Sequence, residues 1–362
     1  MKKKTITLIC IVCAAVLLAG AAVPWSIYAV RKGSAVPPAG YEIQPPRGIM
    51  EFGTYPQSAV TNDALLAELN ALDLTWISYR YYSGSVALDS AEQGDFMQYA
   101  DVTWQGARYR AVTASDYRPY CCHLPNEHTR LYKRIELNKV YWFRWDPIRW
   151  IILDEESGLM MSESVLDCGA FCNLLYANDP KGKIALGIDL IKTDYYNDPQ
   201  QTVYATDYCT SDVRKWLNGT FLETAFTKRE RAKLALTPLD NRAADRKWKK
   251  YDSESCEDRV FLLSFFEVTN PDYGFSPQPE KPDPLRQAFP TDYAYIMGSW
   301  AEEDPIAPGA TWWWLRTPSD HSNLNCCVSF YGIANTTSRI LPYFPDFTDT
   351  GFRPAIRLLN AE

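Results

Sequence analysis

Apolar side chains concentrate in two short stretches near the end of the chain, with a polar segment between them. Trp312–Pro318 begins with three adjacent tryptophans, and Gly351–Arg357 mixes aliphatic, aromatic and arginine side chains. Burying one large apolar side chain contributes about 1.5–3 kcal/mol, so both stretches predict buried strands. Pro318 and Pro354 lack a backbone donor and predict strand ends or edges. We therefore predict two rigid struts that fix both ends of a loop-like segment, Ser319–Thr350.

Alternating apolar and polar positions predict further strands and two hairpins. In Val140–Asp154 aromatic residues alternate along a long strand, and Leu159–Met161 follows a Gly-containing turn as its partner. Val102–Val112 predicts a second hairpin with its turn at Gln105-Gly106. The apolar run Val260–Phe266 predicts one more buried strand.

Helical spacing and capping residues predict a few short helices. Leucines recur every three or four positions in Asn62–Leu72. Ser211 is a predicted N-cap, and Asn218-Gly219 is expected to interrupt the helix that follows it. Thr227 begins a capping-box spacing that predicts another helix. Asn270–Pro290 contains six prolines and predicts an irregular surface loop without struts of its own.

The start of the chain predicts a membrane anchor. Thr5–Val30 is uncharged and mostly apolar, and about 20 apolar residues suffice to cross a bilayer. Three lysines precede it and Arg31-Lys32 follows it, which places the bulk of the chain outside the cell membrane. A cleaved signal peptide is the alternative, because Ala19-Gly20-Ala21 supplies a small-x-small site. The predicted domains are an anchor or signal peptide at 1–32, a Pro-rich linker at 33–48 and an extracellular globular region at 49–362.

Composition limits the partners of this globular region. The net charge is −7 and no long basic run follows the N-terminus, which argues against a nucleic-acid partner. Aromatic residues make up 14% of the chain and favour a β-rich core. Eight cysteines lie beyond the apolar N-terminal segment, and whether any of them pair stays open. The cluster Cys121-Cys122-His123 with His128 has no standard zinc spacing, so we predict no metal and no cofactor.

Catalytic motifs are missing from the sequence. It contains no Gly-x-Ser-x-Gly, no His-Glu-x-x-His and no phosphate-binding loop, and its three histidines have no motif context. The acidic run Glu302-Glu303-Asp304 is interpreted as a solvated turn. We therefore predict a protein without catalytic residues.

Six motifs in a fixed order resemble exported bacterial proteins that carry the uncharacterised domain DUF6273. They are Phe52–Gln57, Tyr141–Trp150, Ser211–Asn218, Val260–Ser264, Trp314–Pro318 and Gly351–Ala355. The resemblance implies an exported location and a DUF6273-like core at 138–362, and it carries no established activity.

The closing pattern is also similar to C-type-lectin-like folds, including the formylglycine-generating-enzyme branch. This similarity implies an α+β fold with an antiparallel β-rich core and a few short helices, here preceded by one transmembrane helix. It also implies that Gly351–Leu358 lies beside Tyr141–Asp154. The calcium-and-sugar tripeptides of true lectins are absent, and Cys326-Cys327 does not match the copper-binding pair of the oxidases.

The composition of Ser319–Thr350 predicts a binding surface. Aromatic side chains offer contact area there, while Ser and Asn side chains offer adaptable hydrogen bonds. We therefore expect a membrane-anchored extracellular recognition protein whose unidentified ligand is a protein or a glycan. A cell-envelope enzyme of unknown reaction and a structural envelope protein are the alternatives. The predicted ligand-binding residues are Asp320, His321, Asn323, Asn325, Ser329, Tyr331, Asn335, Tyr343 and Phe344.

Overall fold

The computed structural model describes residues 48–79, 97–117, 134–172, 204–320, 324–335 and 345–359, all within one unit that spans residues 44–362. No helix among these residues has the length and apolarity needed to cross a bilayer. The predicted anchor Thr5–Val30 and the Cys121–His128 cluster lie outside the described residues.

Most of the described secondary structure is β-strand. The strands are β1 Ile49–Ala59, β2 Ile77–Ser78, β3 Met97–Trp104, β4 Ala107–Ala114, β5 Tyr141–Asp154, β6 Leu159–Ser162, β7 Asp167–Cys168, β8 Thr237–Leu239, β9 Cys256–Asp258, β10 Val260–Leu262, β11 Trp313–Pro318, β12 Asn325–Val328, β13 Ala334–Asn335, β14 Gly351–Phe352 and β15 Pro354–Arg357. Almost all of their pairings are antiparallel.

The larger sheet is built around β5. Within the described ranges its order is β10-β15-β6-β5-β4-β3-β2, and β1 pairs with β5 as well. Both predicted hairpins are confirmed as β3–β4 and β5–β6. The β3–β4 turn has φ values of 48° at Gln105 and 83° at Gly106. Positive φ at both central residues is the geometry that two-residue hairpin turns favour.

A second sheet contains the first strut and the beginning of the second, Gly351–Phe352, while the rest of the second strut is β15 of the larger sheet. The order of the second sheet is β13-β12-β11-β14-β7, and Trp313 and Trp314 of β11 are completely buried. β10 ends earlier than the predicted Val260–Phe266 strand. The Ser264 N–H donates to the Glu267 carboxylate at 2.6 Å, and the Glu267 N–H donates to the Ser264 hydroxyl at 3.2 Å. This reciprocal pair closes a turn, which stops the strand at Leu262.

The helices are short, and two of them begin at the predicted caps Ser211 and Thr227. They are α1 Asp63–Asn70, α2 Asp212–Trp216, α3 Leu222–Ala225, α4 Lys228–Arg231 and α5 Asp292–Met297. Asn62, Ser211 and Thr227 each accept a backbone hydrogen bond as N-caps, and Thr227 forms the complete capping box.

The predicted interruption at Asn218-Gly219 is wrong. A π-helical turn, Leu217–Phe221, joins α2 to α3 without a break. The Asn218 amide donates to the Val260 carbonyl at 2.9 Å and accepts from the Arg259 N–H at 3.1 Å. Asn218 therefore connects the helix to β10. The residues around Asn218 in the sequence do not indicate this contact.

These elements confirm the coarse α+β prediction of mostly antiparallel sheets with a few short helices. The C-terminal strand lies in the same sheet as Tyr141–Asp154 but not directly beside it. β15 pairs with β6 on one side and with β10 on the other, so β6 separates it from β5.

Candidate functional site

The two struts lie next to each other. Trp313 pairs with Gly351 in parallel, and the Gly351 N–H donates to the Trp312 carbonyl at 2.8 Å. A Cβ atom on Gly351 would lie 2.5 Å from Val165 Cγ1, so this close approach requires glycine. Both ends of the intervening segment are therefore fixed within one sheet, as the sequence predicted.

The structure divides the predicted ligand-binding residues into inward and outward groups. Asn325 and Ser329 are each only 4% exposed. Asp320 and Tyr331 are partly exposed. The backbone of Asn335 belongs to β13. Outside the described residues lie His321, Asn323, Tyr343 and Phe344.

The Ser329 hydroxyl organises a turn instead of facing solvent. It accepts hydrogen bonds from the Tyr331 N–H at 3.3 Å and the Ile333 N–H at 3.2 Å. The Gly332 N–H donates to the Ser329 carbonyl at 2.8 Å, and Gly332 has a φ of 73°. In this structure Ser329 therefore positions Tyr331, and it is Tyr331 that reaches the surface.

Tyr331 belongs to a surface patch of aromatic and acidic side chains, called the aromatic–acidic patch. Its members, all partly exposed, are Trp300, Glu302, Asp304, Phe330 and Tyr331. The Tyr331 hydroxyl donates to Asp304 Oδ2 at 3.5 Å, and Trp300 Nε1 donates to Glu302 Oε2 at 3.1 Å. Burial raises the pKa of Tyr331, and the charges of Asp304 and Glu302 raise it further. The phenol therefore stays protonated and neutral beside two carboxylates at neutral pH.

This patch changes the interpretation of the acidic run. Glu302 and Asp304 do lie in a turn, where Glu302 Oε1 accepts from the Asp304 N–H at 3.0 Å. Asp304 also accepts a hydrogen bond from Tyr331, which is 27 residues further along the chain. The interpretation of Glu302-Glu303-Asp304 as a solvated turn did not include this contact, because no local sequence pattern indicates it.

The Pro-rich loop, Asn270–Pro290, is held in place by a buried arginine, whereas the sequence predicted no structural support for it. Arg286 is 0% exposed and lies inside Asn270–Pro290. Its guanidinium donates to five backbone carbonyls. Four of them belong to the Pro-rich loop or to Val268 just before it, and one belongs to the turn Ser329–Ile333, called the Ser329 turn below. They belong to Val268, Ser276, Gln278, Lys281 and Gly332, at 2.8–3.1 Å.

The Pro-rich loop and the Ser329 turn therefore form one packed unit. The Ala334 N–H donates to the Pro279 carbonyl at 2.9 Å, and the Gln287 side chain donates to the Phe330 carbonyl at 2.9 Å. A Cβ atom on Gly332 would lie 2.2 Å from the Asp283 carbonyl oxygen. Residues separated by some fifty positions thus share one surface. At position 332 the two backbones come so close that only glycine fits.

A shallow cleft of about 260 Å³ lies on the other sheet. Strand residues Asp101, Arg108 and Trp145 line one side of it, and Glu223 and Thr227 line the helical side. The Arg108 guanidinium carbon lies 3.7 Å from the centre of the Trp145 ring. Charges of both signs around one aromatic wall can hold a small polar group, but sequence reasoning did not single out these residues.

A polar network connects Asp101 of the cleft with the buried Arg110 and Tyr293, and Tyr55 and Asp167 form a buried pair nearby. The Tyr55 hydroxyl donates to Asp167 Oδ2 at 2.7 Å. Arg110 donates to both carboxylate oxygens of Asp101 at 2.7 Å and to the Tyr293 hydroxyl at 3.3 Å. Burial raises the pKa values of Tyr55 and Tyr293 well above the ordinary value, and the charge of Asp167 raises both further. These phenols therefore remain protonated hydrogen-bonding groups and do not serve as bases.

Residues 182–359 match the model of the family described as Domain of unknown function (DUF6273). The match contains the motifs from Ser211–Asn218 onward and supports the DUF6273 part of the sequence resemblance. Phe52–Gln57 and Tyr141–Trp150 precede the matched residues. No curated protein and no solved structure matches the chain.

Proposed function

We propose that this chain is a non-catalytic recognition protein. In this proposal the N-terminal helix Thr5–Val30 anchors it in the cell membrane, and residues 49–362 lie outside the cell. The ligand is an extracellular protein or glycan. A cell-envelope enzyme and a structural envelope protein are the alternatives.

The observation that supports this proposal most is the aromatic–acidic patch. Its carboxylates accept hydrogen bonds and attract cations, and its rings offer large contact area at low entropic cost. This combination suits a ligand with hydroxyl or cationic groups. Tyr331 lies at its centre, and its hydroxyl approaches Asp304 at 3.5 Å.

The patch is held by rigid elements, which favours binding. The segment that carries Tyr331 is fixed at both ends through Trp313 and Gly351, and its Gly332 carbonyl accepts a hydrogen bond from Arg286. Ordering a mobile side chain on binding costs about 0.5–1.5 kcal/mol of free energy, so a patch that is already ordered binds at a smaller entropic cost. His321, Asn323, Tyr343 and Phe344 remain predicted ligand-binding residues.

The proposal includes a C-type-lectin-like architecture for the core at 138–362. The paired struts, the buried tryptophan strand and the intervening loop region support it. The missing calcium-and-sugar tripeptides argue for recognition without a metal ion. The cell-membrane location follows from the lysine bias around Thr5–Val30.

Tyr331→Ala is expected to weaken ligand binding at least about tenfold, because aromatic side chains at the centre of an interface often contribute about 2 kcal/mol or more. The ligand would first be found by screening the full-length chain against glycan arrays, peptide arrays and cell-wall fragments. Affinity for the hit would then be compared between wild type and variant by calorimetry, with melting temperatures measured alongside.

Tyr273→Ala is the matched control, since Tyr273 is also partly exposed but lies on the Pro-rich loop. It should change the affinity less than about twofold. Asn325→Ala and Phe275→Ala are weaker tests, because both side chains are buried and their loss affects folding first. Unchanged affinity in Tyr331→Ala, with binding lost in Tyr273→Ala, would move the site to the Pro-rich loop. A screen without any hit would favour the structural alternative.

Protease added to intact cells is expected to degrade the globular region. The apolar run Thr5–Val30 and its preceding lysines motivate this expectation. An antibody against the C-terminal residues would follow the loss on a blot, with a cytoplasmic protein as the control for lysis. Protection in intact cells, with degradation only after lysis, would contradict the extracellular placement.

A further inference from the structure

We propose that Cys209 and Cys256 form a redox-active pair that closes into a disulfide. The two residues lie on separate segments, one before α2 and one at the start of β9. The Asn241 amide nitrogen lies 3.4 Å from Cys209 Sγ and 3.2 Å from Cys256 Sγ. A single small donor between two sulfurs places them in the same local site. This inference does not depend on the ligand.

The segments that carry the two thiols are fastened together on both flanks. Cys209 Sγ lies 2.9 Å from the Glu254 carbonyl oxygen, and the Tyr208 N–H donates to the Ser253 hydroxyl at 3.3 Å. Arg214 donates to the Cys209 carbonyl at 2.8 Å and pairs with Asp258 at 2.8 Å. The backbones on either side are therefore held together before any bond forms, as a disulfide requires.

Accessibility distinguishes this pair from the other described cysteines. Cys209 and Cys256 are partly exposed, whereas Cys168, Cys172, Cys326 and Cys327 are buried. A dissolved oxidant can thus reach these two thiols, while the buried thiols behave as small apolar core residues.

The surroundings assign different chemical roles to the two thiols. The hydrogen bond from Cys209 lowers the pKa of Cys256, and Arg214 and Asn241 lower it further against the effect of burial. The same hydrogen bond raises the pKa of Cys209, and burial adds to that rise. Cys256 is therefore the sulfur that is more readily ionised, and thiolates are the attacking species in disulfide exchange.

The reaction needs a disulfide as oxidant, such as oxidised glutathione. The Cys256 thiolate attacks one sulfur of that disulfide, forms a mixed disulfide and releases one thiolate, which takes up a proton. The Cys209 thiol then loses its proton and attacks the Cys256 sulfur, which closes the bond and releases the second thiol. Two protein thiols are oxidised, and one small disulfide is reduced to two thiols.

The test equilibrates the full-length chain in buffers of increasing oxidised-to-reduced glutathione ratio, followed by alkylation and peptide mapping. Cys209 and Cys256 should lose alkylation together while a peptide that links them appears. Cys326 and Cys327 should not change. The oxidised form should melt about 5–10 °C higher, because the bond restricts the unfolded chain.

Single variants separate the two roles. Cys209→Ser should leave Cys256 trapped as a glutathione adduct, whereas Cys256→Ser should leave Cys209 largely unmodified. The proposal is overturned if both wild-type thiols remain alkylatable at every ratio, or if either one links to a different cysteine. Equal adduct formation in the two variants would overturn the assignment of Cys256 as the attacking thiol.

Discussion

Arg353→Ala is expected to lower the free energy of unfolding by about 3–5 kcal/mol, since it removes a buried charge and leaves its partners unpaired. Folded domains are stable by only about 5–15 kcal/mol, so the variant should unfold or aggregate near physiological temperature. Thermal and urea unfolding of the full-length chain would measure the loss.

The contacts of Arg353 explain the size of this effect. The side chain is 1% exposed and donates to the Ser162 carbonyl at 3.0 Å and the Glu163 carbonyl at 3.2 Å. It also donates to the Leu285 carbonyl at 3.0 Å. Burial lowers its pKa to about 9, against the opposing charges of Glu163 and Asp283. The guanidinium is still charged at neutral pH, and it joins the end of β6 to the Pro-rich loop.

Arg357→Ala is the matched control four residues further along. Arg357 is partly exposed and makes one long hydrogen bond, to the Ser157 carbonyl at 3.4 Å. Its loss should cost less than about 1 kcal/mol. Arg353→Lys should fall between the two alanine variants, because lysine keeps the charge but lacks the planar fork of donors. A folded Arg353→Ala protein with the wild-type melting temperature would show that this arginine is not part of the scaffold.

Arg286→Met should release the Pro-rich loop and the Ser329 turn together. The substitution keeps an apolar stem but removes all donors to the five carbonyls, at a cost of about 3–5 kcal/mol. Hydrogen exchange followed by mass spectrometry should show lost protection in residues 270–290 and in 329–334. If Tyr331 carries the binding site, affinity should fall in the same variant.

Lys281→Met provides the control within the same loop. The Lys281 side chain is exposed, and only its backbone carbonyl takes part in the Arg286 cluster. Exchange in both segments should therefore stay at the wild-type rate. If Arg286→Met leaves residues 329–334 fully protected, then the turn holds its shape without the loop, and the two segments are not one unit.

Local patterns were sufficient for several elements of the fold. The β3–β4 hairpin followed from alternation and from Gln105-Gly106, and the helix at Lys228–Arg231 followed from the Thr227 capping box. The buried struts followed from the apolar content of Trp312–Pro318. In each case the deciding interactions join residues a few positions apart, or depend only on the apolarity of the segment itself.

Tertiary contacts decided the candidate site. Asp304 meets Tyr331 across 27 residues, and Arg286 reaches the Gly332 carbonyl across 46 residues. The periodicity of apolar residues does not reveal contacts between such distant positions. The acidic run was therefore predicted only as a turn, and the Pro-rich loop was predicted to have no support of its own. Where a break was expected, the chain forms a π-helical turn, and the Asn218 amide within it donates to the Val260 carbonyl.

The order of residues was enough to predict the β-rich class, the hairpins, the caps at Ser211 and Thr227, and the two struts around Ser319–Thr350. Apolar periodicity and capping act within one element, so they are visible in the order of residues alone. The packing of distant segments selects which polar side chains face inward, as Asn325 does, and which reach the surface, as Tyr331 does. That choice depends on which distant carbonyls and carboxylates each side chain meets, because a buried polar group is stable only where such partners exist.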